Sequence, residues 1–260
     1  MSVAAITLCN EGARVVARLT ERMESCDAFV HECVAELPQA KRFARIVELT
    51  GEIFASYRGL IYVAPTGVVV RAIAPYLSHK TEDPAVVAVD VGGRWAVSLL
   101  SGHEGGANAL ALAVANILAA EPIVTTTTEA VKNLIVGVGC RRGAAREAVA
   151  AAVREALAMV GAACDRVRWL ASIEFKGDEA GLVAAAAELA LPLRLISAAE
   201  IRHTPLEFAR SAFVQEQVDV PAVAEPVALL AGRRTRLLLT RQVLHGVTVA
   251  IAEEDCSSLG

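Results

Sequence analysis

Trp95-Ala96-Val97-Ser98-Leu99-Leu100-Ser101-Gly102-His103-Glu104-Gly105-Gly106-Ala107-Asn108 changes character halfway along. Residues 95–100 form a short apolar run of strand type, and residues 107–119 form an alanine- and leucine-rich helical run. Between them Gly102, Gly105 and Gly106 let the backbone turn sharply and put no Cβ in the way of a ligand. A strand that enters a turn and leaves as a helix is the repeating unit of α/β folds. The start of such a helix offers unpaired N–H groups and a partial positive charge, which suit an anion. His103 adds an imidazole, the side-chain type suited to acid–base chemistry, and Ser101 and Asn108 add hydrogen-bonding groups. Glycines that only make a turn have no need of that His-Ser-Asn cluster.

The same unit recurs along the chain. Residues 4–8 read as a first buried strand, with Asn10 placed to cap a helix over residues 13–22. Residues 28–31 give a weak strand, and residues 41–56 show helical periodicity. Residues 59–64 form a strand that ends at Pro65-Thr66-Gly67, with a helix over residues 68–77. Gly67 makes a second glycine corner, and Arg71, one turn into its helix, suits a bidentate carboxylate or a solvated surface position. Residues 85–91 are continuously apolar, as in parallel sheets, until Asp90, whose carboxylate must be either paired or functional. Thr125-Thr126-Thr127-Thr128 places four hydroxyls at the end of the next strand, residues 122–125.

Residues 129–133 look like a boundary, after which strand and helix alternate again. Strands are expected over residues 134–138, 167–173, 193–196, 236–239 and 247–252. Helices are expected over 144–159, 180–189, 205–217 and 223–231. The chain therefore reads as two Rossmann-like α/β domains with mostly parallel sheets, residues 1–131 and 132–260. Gly137-Val138-Gly139-Cys140-Arg141-Arg142-Gly143 is a third glycine junction, one residue longer than the dinucleotide fingerprint and without its acidic partner. A nicotinamide cofactor is thus only a distant third option. Arg141 and Arg142 at a helix start argue for an anion. Cys140 is either a nucleophile with a lowered pKa or a small packed residue.

Bulk properties exclude several classes. With 260 residues and 55% apolar content, the chain has material for two cores. A net charge of −4 gives no basic field for nucleic acid. No apolar run approaches the ~20 residues of a membrane helix, and the N-terminus has no secretory pattern. The six cysteines are scattered without a C-x-x-C pair, so neither a zinc site nor a disulfide framework is expected, and a reducing cytoplasm is. The other histidines, His31, His79, His203 and His245, have no metal-ligand spacing.

Several stretches together resemble a known family. They are residues 64–71, residues 83–90, residues 98–108 with S-G-H-x-G-G-A-N, the G-x-G-C-R-R-G junction at 137–143, and residues 246–252. The chain resembles the cobalt-precorrin-5A hydrolases, CbiG, over nearly its whole length. It departs from them twice. The family's usual middle domain is missing between Thr128 and Leu134, and Val91 stands where the family commonly has an acidic residue.

The resemblance implies hydrolysis of a cobalt-bearing macrocycle in anaerobic cobalamin biosynthesis. Water opens a δ-lactone, acetaldehyde leaves, and cobalt-precorrin-5B results. The N-terminal domain would hold the lactone-opening site and the C-terminal domain would bind the tetrapyrrole. His103 would be the general base, with Ser101 and Asn108 orienting it or the attacking water and Asp90 as a secondary candidate. Gly105 and Gly106 would supply amides to the oxyanion, and Gly102 would contact the substrate. Gly67, Arg71, Gly139, Cys140, Arg141, Arg142 and Gly143 would contact the acid-rimmed substrate in a cleft between the domains. No cofactor is expected, because cobalt arrives within the substrate. A homodimer and transient contacts with neighbouring pathway enzymes are further expectations. The alternative is a non-catalytic tetrapyrrole carrier or scaffold, since the C-terminal half also resembles a stand-alone family of the aerobic pathway.

Overall fold

The computed structural model describes residues 2–204 and 223–256. The chain divides into two compact units, Met1–Thr126 and Thr127–Gly260.

The first unit is a seven-stranded sheet covered on both faces. Its strands are β1 (Val3–Thr7), β2 (Cys26–His31), β3 (Lys41–Phe43), β4 (Gly59–Val63), β5 (Ala85–Val89), β6 (Trp95–Leu100) and β7 (Glu121–Ile123), in the order β3-β2-β1-β4-β5-β6-β7. Its helices are α1 (Asn10–Arg22), α2 (Ile46–Ile53), α3 (Thr66–Ile73) and α4 (Ala107–Leu118). Every residue of β1, β4 and β5 is buried, because both faces of these central strands are covered. Alternation sorts their side chains. Val3, Ala5, Ile61, Val63, Val87 and Val89 meet Val16 and Leu19 of α1 and Leu110 and Val114 of α4. Ala4, Ile6, Leu60, Tyr62, Val86 and Ala88 meet Leu49 and Ile53 of α2 and Val69 and Ile73 of α3. The Tyr62 hydroxyl is 2.9 Å from Thr50 Oγ1.

Strands β1 to β5 all run one way, whereas β6 is antiparallel to β5 and β7 follows β6. Strand order reverses between β1 and β4, as in doubly wound sheets. One edge therefore holds the carboxyl ends of β1 to β5. The opposite edge holds the carboxyl ends of β6 and β7.

Two local expectations fail here. Residues 41–43 are not helical; they form edge strand β3, paired with Phe29, Val30 and His31. Cross-strand hydrogen bonds and burial of Phe43 outweigh the helical spacing that residues 43–54 display. Asn10 does not cap α1, because its Oδ1 accepts the Ala35 N–H at 2.9 Å and Cys9 occupies the cap position.

The second unit begins with the short helix α5 (Thr127–Ala130). Its five strands are β8 (Leu134–Gly139), β9 (Val167–Ile173), β10 (Leu193–Ile196), β11 (Thr235–Leu244) and β12 (Val247–Glu254), in the order β10-β9-β8-β12-β11. β8, β9 and β10 are parallel, and the β11–β12 hairpin adds antiparallel pairs. Helices α6 (Arg146–Met159) and α7 (Ala180–Glu188) pack Val149, Val153, Leu157 and Leu182 against Val136, Val138, Val249 and Ile251. Helix α8 (Ala198–His203) is absent from the sequence expectation, although Ser197 and Glu200 form a full capping box at its start. Helix α9 (Ala224–Leu230) matches the expected run at 223–231, while the expected helix at 205–217 lies outside the described residues. Both units are thus α/β with mixed, mostly parallel sheets.

Candidate functional site

The corner between β6 and α4 is built by unusual backbone geometry. Ser101 is a non-glycine residue at φ +57°, a left-handed conformation that costs ~1–2 kcal/mol. Gly106, at φ +87°, sits at the N-cap of α4. The loop closes on itself through Ala107 N–H to Ser101 O at 3.1 Å and Asn108 N–H to Gly102 O at 3.0 Å. Gly105 lies so close over Ser101 that a Cβ there would sit 2.3 Å from the serine Cβ. The backbone N–H groups of residues 102–106 donate to no backbone carbonyl among the described residues.

Ser101 is only 8% exposed, and its Oγ has no hydrogen-bond partner among the described residues. A buried hydroxyl without a partner costs ~1–3 kcal/mol. A strained residue with an unsatisfied hydroxyl beside open amides makes this corner the candidate site of the first unit. His103 lies in the same loop, exposed, and its charge acts on the neighbouring Glu104 carboxyl. Asn108 is locked from beneath: its Oδ1 accepts from Ser98 Oγ at 2.8 Å, and its Nδ2 donates to Thr126 Oγ1 at 3.0 Å. Asn108 thus ties β6 to the segment that follows β7 and, among the described residues, makes no hydrogen bond to His103. Ser98 and Thr126 were not expected in the site, though the run of threonines at a strand end was the available signal.

Glu104 extends the loop toward residues 78–83. Lys80 Nζ donates to Glu104 Oε1 at 2.9 Å, and this hydrogen bond holds the Glu104 carboxyl below its ordinary range. Beneath it, buried Asp83 accepts the Ser78 N–H at 3.0 Å. Lys80 is therefore a tether of this corner.

The remaining candidates of the first unit belong elsewhere. Asp90 follows β5, so it lies at the edge opposite the His103 loop, roughly 20 Å of strand away. Its Oδ1 accepts the N–H groups of Arg94 and Trp95 at 2.7 and 2.9 Å, and its Oδ2 accepts Arg94 Nε at 3.0 Å. Burial pushes its carboxyl up, but these hydrogen bonds more than offset that and hold it below the ordinary value. Asp90 is a turn-forming residue, which corrects its placement with the catalytic group. Gly67 opens α3 at that same edge, and Arg71 Nη1 folds back to donate to Gly67 O at 3.0 Å. That edge is opposite the one that carries the His103 loop.

In the second unit the G-x-G pair has packing reasons. A Cβ on Gly137 would lie 1.9 Å from the Ala224 carbonyl oxygen of α9, and one on Gly139 would lie 2.5 Å from Thr248 Oγ1. Gly143 N–H is already taken by Glu179 Oε1 at 2.9 Å, so an internal carboxylate holds an amide expected to meet the ligand. Burial raises the Cys140 pKa, and its side chain packs against the core, which corrects the activated-thiolate reading. Arg141 and Arg142 are exposed and have no partner among the described residues. Among the described residues no three His, Cys, Asp or Glu side chains gather as a metal site, and no helix is long and apolar enough to cross a membrane.

The first unit is thus a doubly wound α/β protein whose open-amide corner, next to an imidazole, suits an acyl oxygen or a carboxylate. Residues 48–129 match the family model described as cobalamin synthesis G N-terminal, and residues 134–252 match the cobalamin synthesis G C-terminus. The chain belongs to the cobalamin synthesis G family. It is 47% identical over 78 residues to a cobalt-precorrin-5A hydrolase of Salmonella typhimurium, a match covering 30% of this chain and 22% of that protein. It is 48% identical over 86 residues to the protein of that name in Priestia megaterium, covering 33% of this chain and 23% of that one. It is 34% identical over 128 residues to Protein CobE of Sinorhizobium sp, covering 48% of this chain and 83% of that one. The chain therefore aligns with less than a quarter of the length of either hydrolase.

Proposed function

We propose that this protein acts in cobalamin biosynthesis as a cobalt-precorrin-5A hydrolase, with its lactone-opening centre at the β6–α4 corner. The observation that carries this reading is the buried, unpartnered Ser101 hydroxyl held at a strained backbone beside open amides. His103 takes the proton of a water that attacks the δ-lactone carbonyl. The carbonyl oxygen becomes negative and is received by N–H groups of the 102–106 loop, while Ser101 Oγ–H donates to it or to the incoming water. The ring oxygen leaves, taking a proton back from His103. The freed alcohol then gives up its proton, its oxygen forms the aldehyde C=O as the carbon–carbon bond to the macrocycle breaks, and the macrocycle carbon keeps the electron pair and takes a proton, so that acetaldehyde leaves and cobalt-precorrin-5B remains. Cobalt is part of the substrate. Arg141 and Arg142, exposed on the second unit, offer that unit's own cations to carboxylates.

Acetaldehyde release from cobalt-precorrin-5A tests this. His103→Ala should lower turnover by ~10²–10⁴-fold while substrate binding persists. Undiminished turnover removes His103 from the chemistry. Binding without any acetaldehyde from the unaltered protein favours the carrier or scaffold reading, which the exposed Arg141 and Arg142 would serve equally well.

A further inference from the structure

At the carboxyl edge of the first unit, β2 ends in His31 and the following turn carries Cys33. His31 Nδ1 lies 2.9 Å from Cys33 Sγ, and His31 Nε2 lies 2.9 Å from Ala44 O. A carbonyl can only accept, so Nε2 carries the proton. Nδ1 is then the acceptor for the Cys33 thiol and for the Cys33 N–H at 3.2 Å. The ring stands edge-on to Phe43, centroids 5.6 Å apart, which fixes its plane. A nucleophile within reach of a base that a third group orients is the arrangement of covalent catalysis.

The location is also suited to ligands. Cys33 Sγ is 3.6 Å from Leu8 O, just past the end of β1, beside the strand-order reversal where doubly wound sheets receive ligands. Of the six cysteines only Cys33 is exposed. Burial pushes the Cys26 thiol up to about 11 and raises Cys140 as well. Residues 31–44 precede the segment that the N-terminal family model matches, and the lactone chemistry proposed above makes no use of them.

We propose that Cys33 and His31 form a second reactive centre, a thiol that His31 deprotonates for attack on a hydroperoxide. Cys33 Sγ bonds to one peroxide oxygen and the O–O bond breaks. The departing oxygen takes the proton that His31 received from the thiol and leaves as water or an alcohol. Sulfur is oxidised to a sulfenic acid, the peroxide is reduced, and His31 returns to its neutral form. A small thiol then converts the sulfenic acid to a mixed disulfide with release of water.

The test exposes the reduced full-length protein to substoichiometric hydrogen peroxide with dimedone as a sulfenic-acid trap. Mass spectrometry then quantifies all six cysteine peptides. Cys33 should carry at least about tenfold more adduct than any other cysteine, and His31→Gln should slow its modification at least about tenfold. The glutamine amide can still donate to Ala44 O, and unaltered far-ultraviolet circular dichroism checks that the variant folds. An even spread of adduct, or a preference for Cys9 or Cys256, overturns the proposal. So does an unchanged Cys33 rate in folded His31→Gln. The competition within the unaltered protein decides the matter even where the variant does not fold.

Discussion

Ser101 concentrates strain at one residue. Its left-handed backbone and orphaned hydroxyl both cost folding free energy, so the site should show a trade between stability and activity. Ser101→Gly accepts the same φ without a Cβ penalty and removes the buried Oγ. It should be at least as stable as the unaltered protein, by up to about 1 kcal/mol, while acetaldehyde release falls. Urea midpoints and turnover, measured on the same preparation, check both halves. Gly105→Ala should act the other way. Its Cβ would lie 2.3 Å from Ser101 Cβ and 2.9 Å from Ser101 O, so the loop must shift, at a cost of about 1–3 kcal/mol, and turnover falls with it. The residue types of this corner were legible in the sequence, because glycine, serine and histidine in one strand-to-helix turn have few joint uses. What Asn108 does was not legible, because its partners Ser98 and Thr126 are brought to it by β6 and β7.

Elements decide the roles of Asp90 and Gly137. Asp90 knots the β5–β6 turn, and its carboxyl is held below the ordinary range in the folded state. A depressed folded pKa gives stability that is present above the unfolded value of about 3.9 and is lost as pH falls through the folded pKa. Asp90→Asn should therefore be less stable near neutrality, and the difference should shrink on acidification below about pH 4. Thermal melts at pH 7 and pH 3 measure this, and turnover at neutral pH should survive in the folded variant. In the second unit, Gly137 lets α9 lie against β8. Gly137→Ala pushes a Cβ to within 1.9 Å of the Ala224 carbonyl and should destabilise by ~2–4 kcal/mol, read as a lower denaturation midpoint. From the sequence, Gly137 looked like part of a ligand loop. Close approach of a helix nearly ninety positions away cannot be read from local spacing. Strand β3 was hidden likewise, since pairing with β2 is what makes residues 41–43 extended.

At the scale of the whole molecule, charge on the second unit should govern binding more than chemistry. Arg141→Ala with Arg142→Ala removes two exposed cations. It should weaken equilibrium binding of the polycarboxylate substrate to the protein by about tenfold or more, with a weaker dependence of that binding on salt. Continuous apolar strands, glycine corners and helical alanine runs by themselves determined that this chain is two α/β units, because burial of apolar surface follows from local pattern. They also showed which residues carry groups of the kind an anion needs, since residue type sets hydrogen-bonding capacity, but not which of those groups are left open: the Gly143 amide is taken by Glu179. Only the tertiary structure decided which of those residues meet. The reversal of direction at β6 sends the His103 loop to one edge of the sheet and leaves Asp90 and the Gly67 corner at the other, and strand direction is set by pairing between distant segments.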